Sequence, residues 1–204
     1  NFKKKVSSKC FFKINKIDNK KKIIAILPGS RKQEIKKILN TMLDVVENFS
    51  EYQFVIAGAP NIEKSFYSDL VKHSDVIVVE NQTYNLLSVS EAALVTSGTA
   101  TLETALFNVP QVVCYKTSFI SYFLAKIFIK IKFISLVNLI VNKEIIRELI
   151  QNKCTKNNII TELKRILNKE NSNSMKKNYV KLISLIGNSG TSKRIAMDII
   201  KNDK

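Results

Sequence analysis

The chain has 204 residues, 45% of them hydrophobic, with only 5 glycines and 3 prolines. This excludes a low-complexity or collagen-like chain and allows one large domain, or two small ones, with a real core. Lysine and arginine total 33 against 17 acidic residues, a formal charge of +16 that favours anionic partners: nucleic acid, anionic lipid or phosphorylated substrates. The lysines are spread along the chain, and Lys, Asn and Ile are all abundant. That pattern is a compositional bias more than a nucleic-acid-binding stripe. Cys10, Cys114 and Cys154 are odd in number and lack CxxC spacing, so neither a disulfide framework nor a zinc site is expected. With His73 the only histidine, a His-rich metal site is excluded, and the expectation is no metal, no cofactor and a reducing cytoplasm.

Residues 1–22 are Lys-rich and aperiodic, and read as a linker or a truncated lead-in. From Lys22 a β-α rhythm begins. Residues 23–27 are a short apolar run closed by Pro28-Gly29, a buried strand. Ile35, Ile38, Leu39, Met42, Val45, Val46 and Phe49 then share one helical face. Ser30 is the expected cap of that helix, with Gln33 returning as in a capping box. A second strand at 52–57, a short helix at 62–72, a third strand at 76–79, a short helix at 84–90 and a fourth strand at 92–96 follow. A helix at 99–107 and a fifth strand at 109–115 complete the repeat. Near-continuous apolar strands alternating with helices predict an α/β, Rossmann-like parallel sheet with helices on both faces.

Beyond Tyr115 the rhythm changes. Residues 120–131 read as a helix and 133–141 as a loop or short strand. Helices are expected at 143–151, 157–168, 172–186 and 191–201, a helical C-terminal tail. The segment 119–134 is the one candidate for membrane contact. It mixes Phe119, Tyr122, Phe123, Phe128 and Phe133 with Lys126, Lys130 and Lys132. A lysine near the middle of a spanning helix costs roughly 2.5–3.5 kcal/mol, so three of them argue against a span. The segment is either a core helix with its lysines in water or an amphipathic helix lying in the headgroup layer.

Two loops at the expected C-terminal strand ends carry the candidate chemistry. The first is Gly29-Ser30-Arg31, where Arg31 offers a two-pronged contact to phosphate or is simply a solvated first-turn residue. The second is Ser97-Gly98-Thr99-Ala100, a small-residue turn opening a helix. It is either an ordinary turn capped by Thr99 or an anion site formed by exposed backbone N–H groups and the positive helix end. Glu103, further into that helix, is placed to accept hydrogen bonds from sugar hydroxyls. If the strands are parallel, both loops share one rim and can flank one diphosphate. Neither GxGxxG nor GxxxxGK[ST] is present, which excludes a P-loop ATPase or a standard NAD unit. Asn138, set between apolar residues, is either a turn former or a ligand contact.

These motifs resemble the lipid-A-disaccharide synthase family. The resemblance is carried by LPGSRKQEI at 27–35, TSGTATLE at 96–103, PQVVCYK at 110–116, SLVNL at 135–139 and ELIQ at 148–151, in the family's order. It implies the C-terminal, donor-binding half of a two-domain GT-B glycosyltransferase. The family transfers 2,3-diacylglucosamine from its UDP donor to 2,3-diacylglucosamine 1-phosphate (lipid X). On this resemblance Gly29, Ser30 and Arg31 with Ser97, Gly98, Thr99 and Ala100 hold the phosphates, and Glu103 faces the ribose or nearby loops. Asn138 and Gln151 line the donor site or the domain interface. The catalytic residue is expected in the N-terminal domain, which has no counterpart here, and Asn1 in place of Met agrees with a piece of a longer protein. Residues 23–155 are then the UDP-sugar-binding domain, and 156–204 are helices packing on it or swapping from it, with a homodimer as one outcome. A cytoplasmic location peripheral to an anionic inner-membrane surface follows, with no nucleic acid as partner. Val137 and Lys143 depart from the family's usual proline and arginine. The competing readings are another GT-B-type UDP-sugar enzyme and a basic, non-enzymatic nucleic-acid-binding module.

Overall fold

A computed structural model describes residues 8–72, 75–116 and 132–187. Six strands form one sheet in the order β3-β2-β1-β4-β5-β6, every neighbouring pair parallel. They are β1 (Lys22–Leu27), β2 (Tyr52–Gly58), β3 (Ile77–Glu80), β4 (Ser90–Thr96), β5 (Gln111–Tyr115) and β6 (Arg147–Ile150). The helices are α1 (Ser8–Ile14), α2 (Lys32–Leu43), α3 (Lys64–Val71), α4 (Thr83–Leu87), α5 (Thr99–Leu106), α6 (Leu136–Val141), α7 (Lys156–Leu167) and α8 (Lys169–Ile186).

The expected α/β fold is therefore present. The chain builds outward from β1 through β2 to β3, then returns to the other side of β1 and builds outward again through β4, β5 and β6. Strand β1 is buried from Ile23 to Leu27 with no polar alternation, because helices cover both faces. Ile24 and Ile26 point to the larger core, with Ile35, Ile38, Leu39 and Met42 of α2 and Ile159 and Leu163 of α7. Ile23, Ala25 and Leu27 point to the smaller one, with Leu86 and Leu87 of α4 and Phe11 of α1. Burying each of the large aliphatic side chains of α2 stabilises the fold by about 1.5–3 kcal/mol. Helices α7 and α8 extend the larger core through Ile166, Met175, Tyr179 and Leu182, so within the described residues they pack on the sheet.

Several local expectations are corrected. Residues 143–151 read as a helix because Ile145, Ile146, Leu149 and Ile150 fall at helical spacing. Instead Arg147–Ile150 is β6, paired with β5 from Val112↔Arg147 to Tyr115↔Ile150. A short apolar run has no decisive period, and the open edge of β5 selects the strand. Residues 133–141 read as loop or strand, yet 136–141 is α6. Its N-cap Ser135 accepts from the Asn138 amide, and Asn142 ends it in a left-handed conformation. The pattern read as one helix through Phe49 stops at Leu43 and continues as a 3₁₀ turn over Val46–Phe49. Ser30 does not cap α2. The N-cap is Arg31, in extended geometry and without a side-chain hydrogen bond. Within the stretch expected to be a lead-in, Ser8–Ile14 is helical, and Phe11 is buried beneath it. The expectations for 119–131 and 191–201 lie outside the described residues.

Candidate functional site

A cavity of about 600 Å³ opens beyond the C-terminal ends of β1, β2, β3 and β4. It lies where the order of strands reverses, the position at which open parallel sheets receive ligands. Leu27 and Val95 are partners in the β1–β4 ladder, so the loops that leave these strands stand side by side. One lip is Gly29 and Ser30, and the other is residues 97–100.

The first lip is shaped by Gly29, whose φ of +105° suits glycine alone. The Ser30 carbonyl accepts a hydrogen bond from Asn61 Nδ2 at 3.2 Å. Arg31 follows at the rim. Its side chain is 81% exposed, and Nη1 lies 3.1 Å from Glu34 Oε1. Glu34 lines the cavity and Arg31 does not.

The second lip opens α5. Gly98 is the N-cap, with φ +150° and ψ −162°, and no side chain caps the helix. The alternative of a cap by Thr99 is thereby excluded. Thr99 and Ala100, the first residues of α5, line the cavity, and a Cβ on Gly98 would meet nothing within 4 Å. This arrangement of open donors, positive helix end and free space suits an anion. Ser97 is turned differently from the expectation. Its hydroxyl donates to the Ile134 carbonyl at 2.8 Å, so its proton is committed inside the protein.

Between the lips lies Thr96, 5% exposed, whose Oγ1 is buried without a hydrogen-bond partner and which lines the cavity. Residues 57–60 and 81–85 complete the wall. Tyr67, buried, accepts the Ala59 amide on its hydroxyl at 3.0 Å and steadies the loop after β2. Tyr84 donates to Glu103 Oε1 at 3.3 Å and stacks on Phe107 at 5.4 Å. Partial burial first, and the Glu103 carboxylate second, push the Tyr84 phenol up, so it stays a donor at neutral pH.

Gly29, Ser30, Ser97, Gly98, Thr99, Ala100 and Glu103 thus come together on one cavity. Asn138 does not join them. It is fully buried, with Nδ2 donating to Ile146 O at 2.8 Å and Glu148 Oε1 at 2.9 Å. Its Oδ1 accepts the Ile145 and Ile146 amides at 2.8 and 3.1 Å. Two donors and two acceptor positions are all that an amide offers, so none remains for a ligand. Gln151 begins a 3₁₀ turn after β6 and does not line the cavity. Thr96, Glu34 and the segments 57–60 and 81–85 were not foreseen. The signal was available: each segment follows a strand's C-terminal end and carries turn residues. Among the described residues, no group of three or more His, Cys, Asp or Glu side chains is arranged to hold a metal ion.

The sheet order, the helices on both faces and the cavity at the reversal define the Rossmann-like half of a GT-B fold. A UDP-GlcNAc 2-epimerase from Neisseria meningitidis, bound to UDP-GlcNAc, superposes with a TM-score of 0.59 at 19% identity, covering 95% of this chain and 52% of that one. The chain belongs to the lipid-A-disaccharide synthetase family, whose model matches residues 2–198. The lipid-A-disaccharide synthase of Syntrophus aciditrophicus is 36% identical over 151 residues, 71% of this chain and 39% of the relative. That of Persephonella marina is 34% identical over 196 residues, 91% of this chain and 52% of the relative. The chain therefore spans about half, or less, of the length of these curated relatives.

Proposed function

We propose that this chain is the donor-binding half of a lipid-A-disaccharide synthase. The whole enzyme transfers 2,3-diacylglucosamine from its UDP donor to lipid X, giving the disaccharide 1-phosphate and UDP. The observation that carries the reading is the convergence of Gly29, Ser30 and the uncapped start of α5 on one cavity, with Thr96, whose buried hydroxyl has no protein partner, in its wall.

As UDP leaves, negative charge grows on its diphosphate. Fixed donors placed where charge develops stabilise it without reorganisation. The amides of Thr99 and Ala100 serve this purpose, Thr96 Oγ1 donates from the floor, and Arg31 swings from Glu34 to the outer phosphate. Glu103 accepts the ribose hydroxyls beside Tyr84. Asn138 serves the site only through its neighbours, and Gln151 belongs to the face that meets the N-terminal domain. That domain contributes the acceptor site and the catalytic residue. Residues 23–155 form the nucleotide-sugar domain, with the helices from 156 onward packed against it. The enzyme works in the cytoplasm at the anionic inner-membrane surface, where both acylated substrates reside, and it assembles as a homodimer. Among the described residues no helix is long and apolar enough to cross a membrane.

Calorimetric titration of the full-length protein with UDP, UMP and ADP tests the reading. UDP should bind more tightly than UMP by about 1.5–3 kcal/mol, the scale of a charged hydrogen bond to the second phosphate. Equal affinities for UDP and UMP would remove the diphosphate from the cavity.

A further inference from the structure

The turn at residues 97–99 is held from outside its own strand and helix. The Ser97 hydroxyl, 2.8 Å from Ile134 O, ties the turn to the segment preceding α6. That segment is in turn gripped by one carboxylate. Glu148 of β6, half-buried, accepts from the Ile134 amide at 2.9 Å, the Ser135 amide at 3.0 Å, the Ser135 hydroxyl at 2.6 Å and Asn138 Nδ2 at 2.9 Å. Three of these bonds fall on Oε1 and one on Oε2, so Oε1 is fully occupied while Oε2 keeps one acceptor position. Hydrogen bonds to a charged acceptor are roughly twice as strong as neutral ones. Asn138 completes the clamp by taking the amides of Ile145 and Ile146 just before β6.

From this geometry we infer that Glu148 is a positioning residue for the ligand-facing turn at Ser97-Gly98-Thr99. It acts through Ile134 O and the Ser97 hydroxyl. Gly98 has no side chain, and a Cβ there would touch nothing within 4 Å, so packing does not set its direction. The tether at Ser97 supplies what packing does not. Glu148 fixes Ile134, Ile134 fixes Ser97, and Ser97 aims the first amides of α5 at the cavity. A Gln at 148 would place an N–H₂ group against protein N–H donors and release the segment at one corner.

The inference rests on the proposed diphosphate site, so its test separates the two. UDP affinity is measured by calorimetry on the full-length wild type and on the Glu148→Gln, Ser97→Ala, doubly substituted and Gly98→Val variants. Backbone amide shifts are recorded alongside. Glu148→Gln should weaken UDP about tenfold, the loss of one charge-assisted hydrogen bond's worth of alignment. It should also shift the amides of Gly98 and Thr99, raising KM for the UDP-sugar more than it lowers kcat. The double variant should be no weaker than the worse single one, because both changes cut one tether. If Glu148→Gln does not fold, Ser135→Ala replaces it in the cycle; it removes the 2.6 Å bond to Glu148 together with the cap that Ser135 Oγ gives the Asn138 amide. UDP affinity within twofold of wild type for the clamp variant, or additive losses in the double variant, overturns the inference. A wild type that ignores UDP, or a Gly98→Val variant that binds it normally, overturns the diphosphate site itself and the inference with it.

Discussion

Gly29 stands over Thr96. A Cβ built on Gly29 would lie 3.7 Å from Thr96 Cγ2 and 3.6 Å from Glu34 Oε2. The first lip of the cavity is therefore seated on the methyl group of Thr96 at the end of β4, while the Thr96 hydroxyl is buried without a protein partner. A buried donor without a partner costs about 1–3 kcal/mol.

That cost gives Thr96→Val an unusual signature. Replacing the hydroxyl by a methyl group of similar shape should leave the ligand-free protein as stable as before or more so, by up to about 1 kcal/mol. The same change should weaken UDP. Urea denaturation and calorimetry on one preparation read both effects, and a parallel loss of stability and affinity would assign Thr96 to the scaffold alone.

Arg31→Ala should separate in the opposite way. Its exposed pair with Glu34 adds only about 0.2–1 kcal/mol to stability, so the thermal midpoint should barely move. UDP affinity should fall by about 1.5–3 kcal/mol if the guanidinium reaches phosphate. An unchanged dissociation constant would take Arg31 out of the site.

Gly98→Val strains the backbone, because a φ of +150° with ψ −162° is a region reserved for glycine, at a cost of about 1–3 kcal/mol. Its side chain would project into the mouth of the cavity. Far-UV circular dichroism should stay native while UDP binding disappears. Normal binding would discard the turn as a phosphate site.

Asn138→Ala should act on stability first. It leaves the Ile145 and Ile146 amides and the Ile146 carbonyl unpaired in the interior and should cost about 2–5 kcal/mol in chemical denaturation. A change below about 0.5 kcal/mol would contradict the internal role assigned to it.

The cysteines predict a labelling pattern. Cys10 is exposed, while Cys114 and Cys154 are buried. A hydrogen bond to Cys154, then burial, pushes the Cys114 thiol well above its usual range, so it stays protonated and unreactive at neutral pH. Iodoacetamide should add once to the native chain and three times after unfolding, counted by intact mass. Rapid native modification of Cys114 would show that β5 is open to reagent.

The parts of the fold legible in the sequence are those where one signal dominates. Strands β1, β2 and β4 are apolar runs closed by turn residues, and α2 has a clean period, so their type and order follow directly. Strand β6 was hidden because Ile145, Ile146, Leu149 and Ile150 satisfy a helical spacing as well. Its identity comes from the unpaired edge of β5, a partner far away in the chain. The two lips were legible because glycine and small residues follow apolar strands. The loop at 81–85 was legible as a turn after a strand but not as part of the site, because sheet order rather than sequence proximity brings it to the rim. Thr96 and Glu34 adjoin the lips in sequence, but whether their side chains turn inward is set by packing rather than by spacing. Asn138 was misleading for a related reason. Its isolation among apolar neighbours shows that it needs partners, and those partners are Ile145, Ile146 and Glu148 rather than a ligand.

The place where β4 returns beside β1 also has a kinetic meaning. Strands β1, β2 and β3 can assemble from near neighbours, whereas β4 must cross back to a partner first laid down at the chain's beginning. Closing so large a loop delays the event, since its entropy is lost before any contact repays it. Neither lip has its mate until then. The capacity to recognise ligand is therefore expected only once β4 has paired with β1, so nucleotide added during refolding should slow the reverse reaction without hastening the forward one.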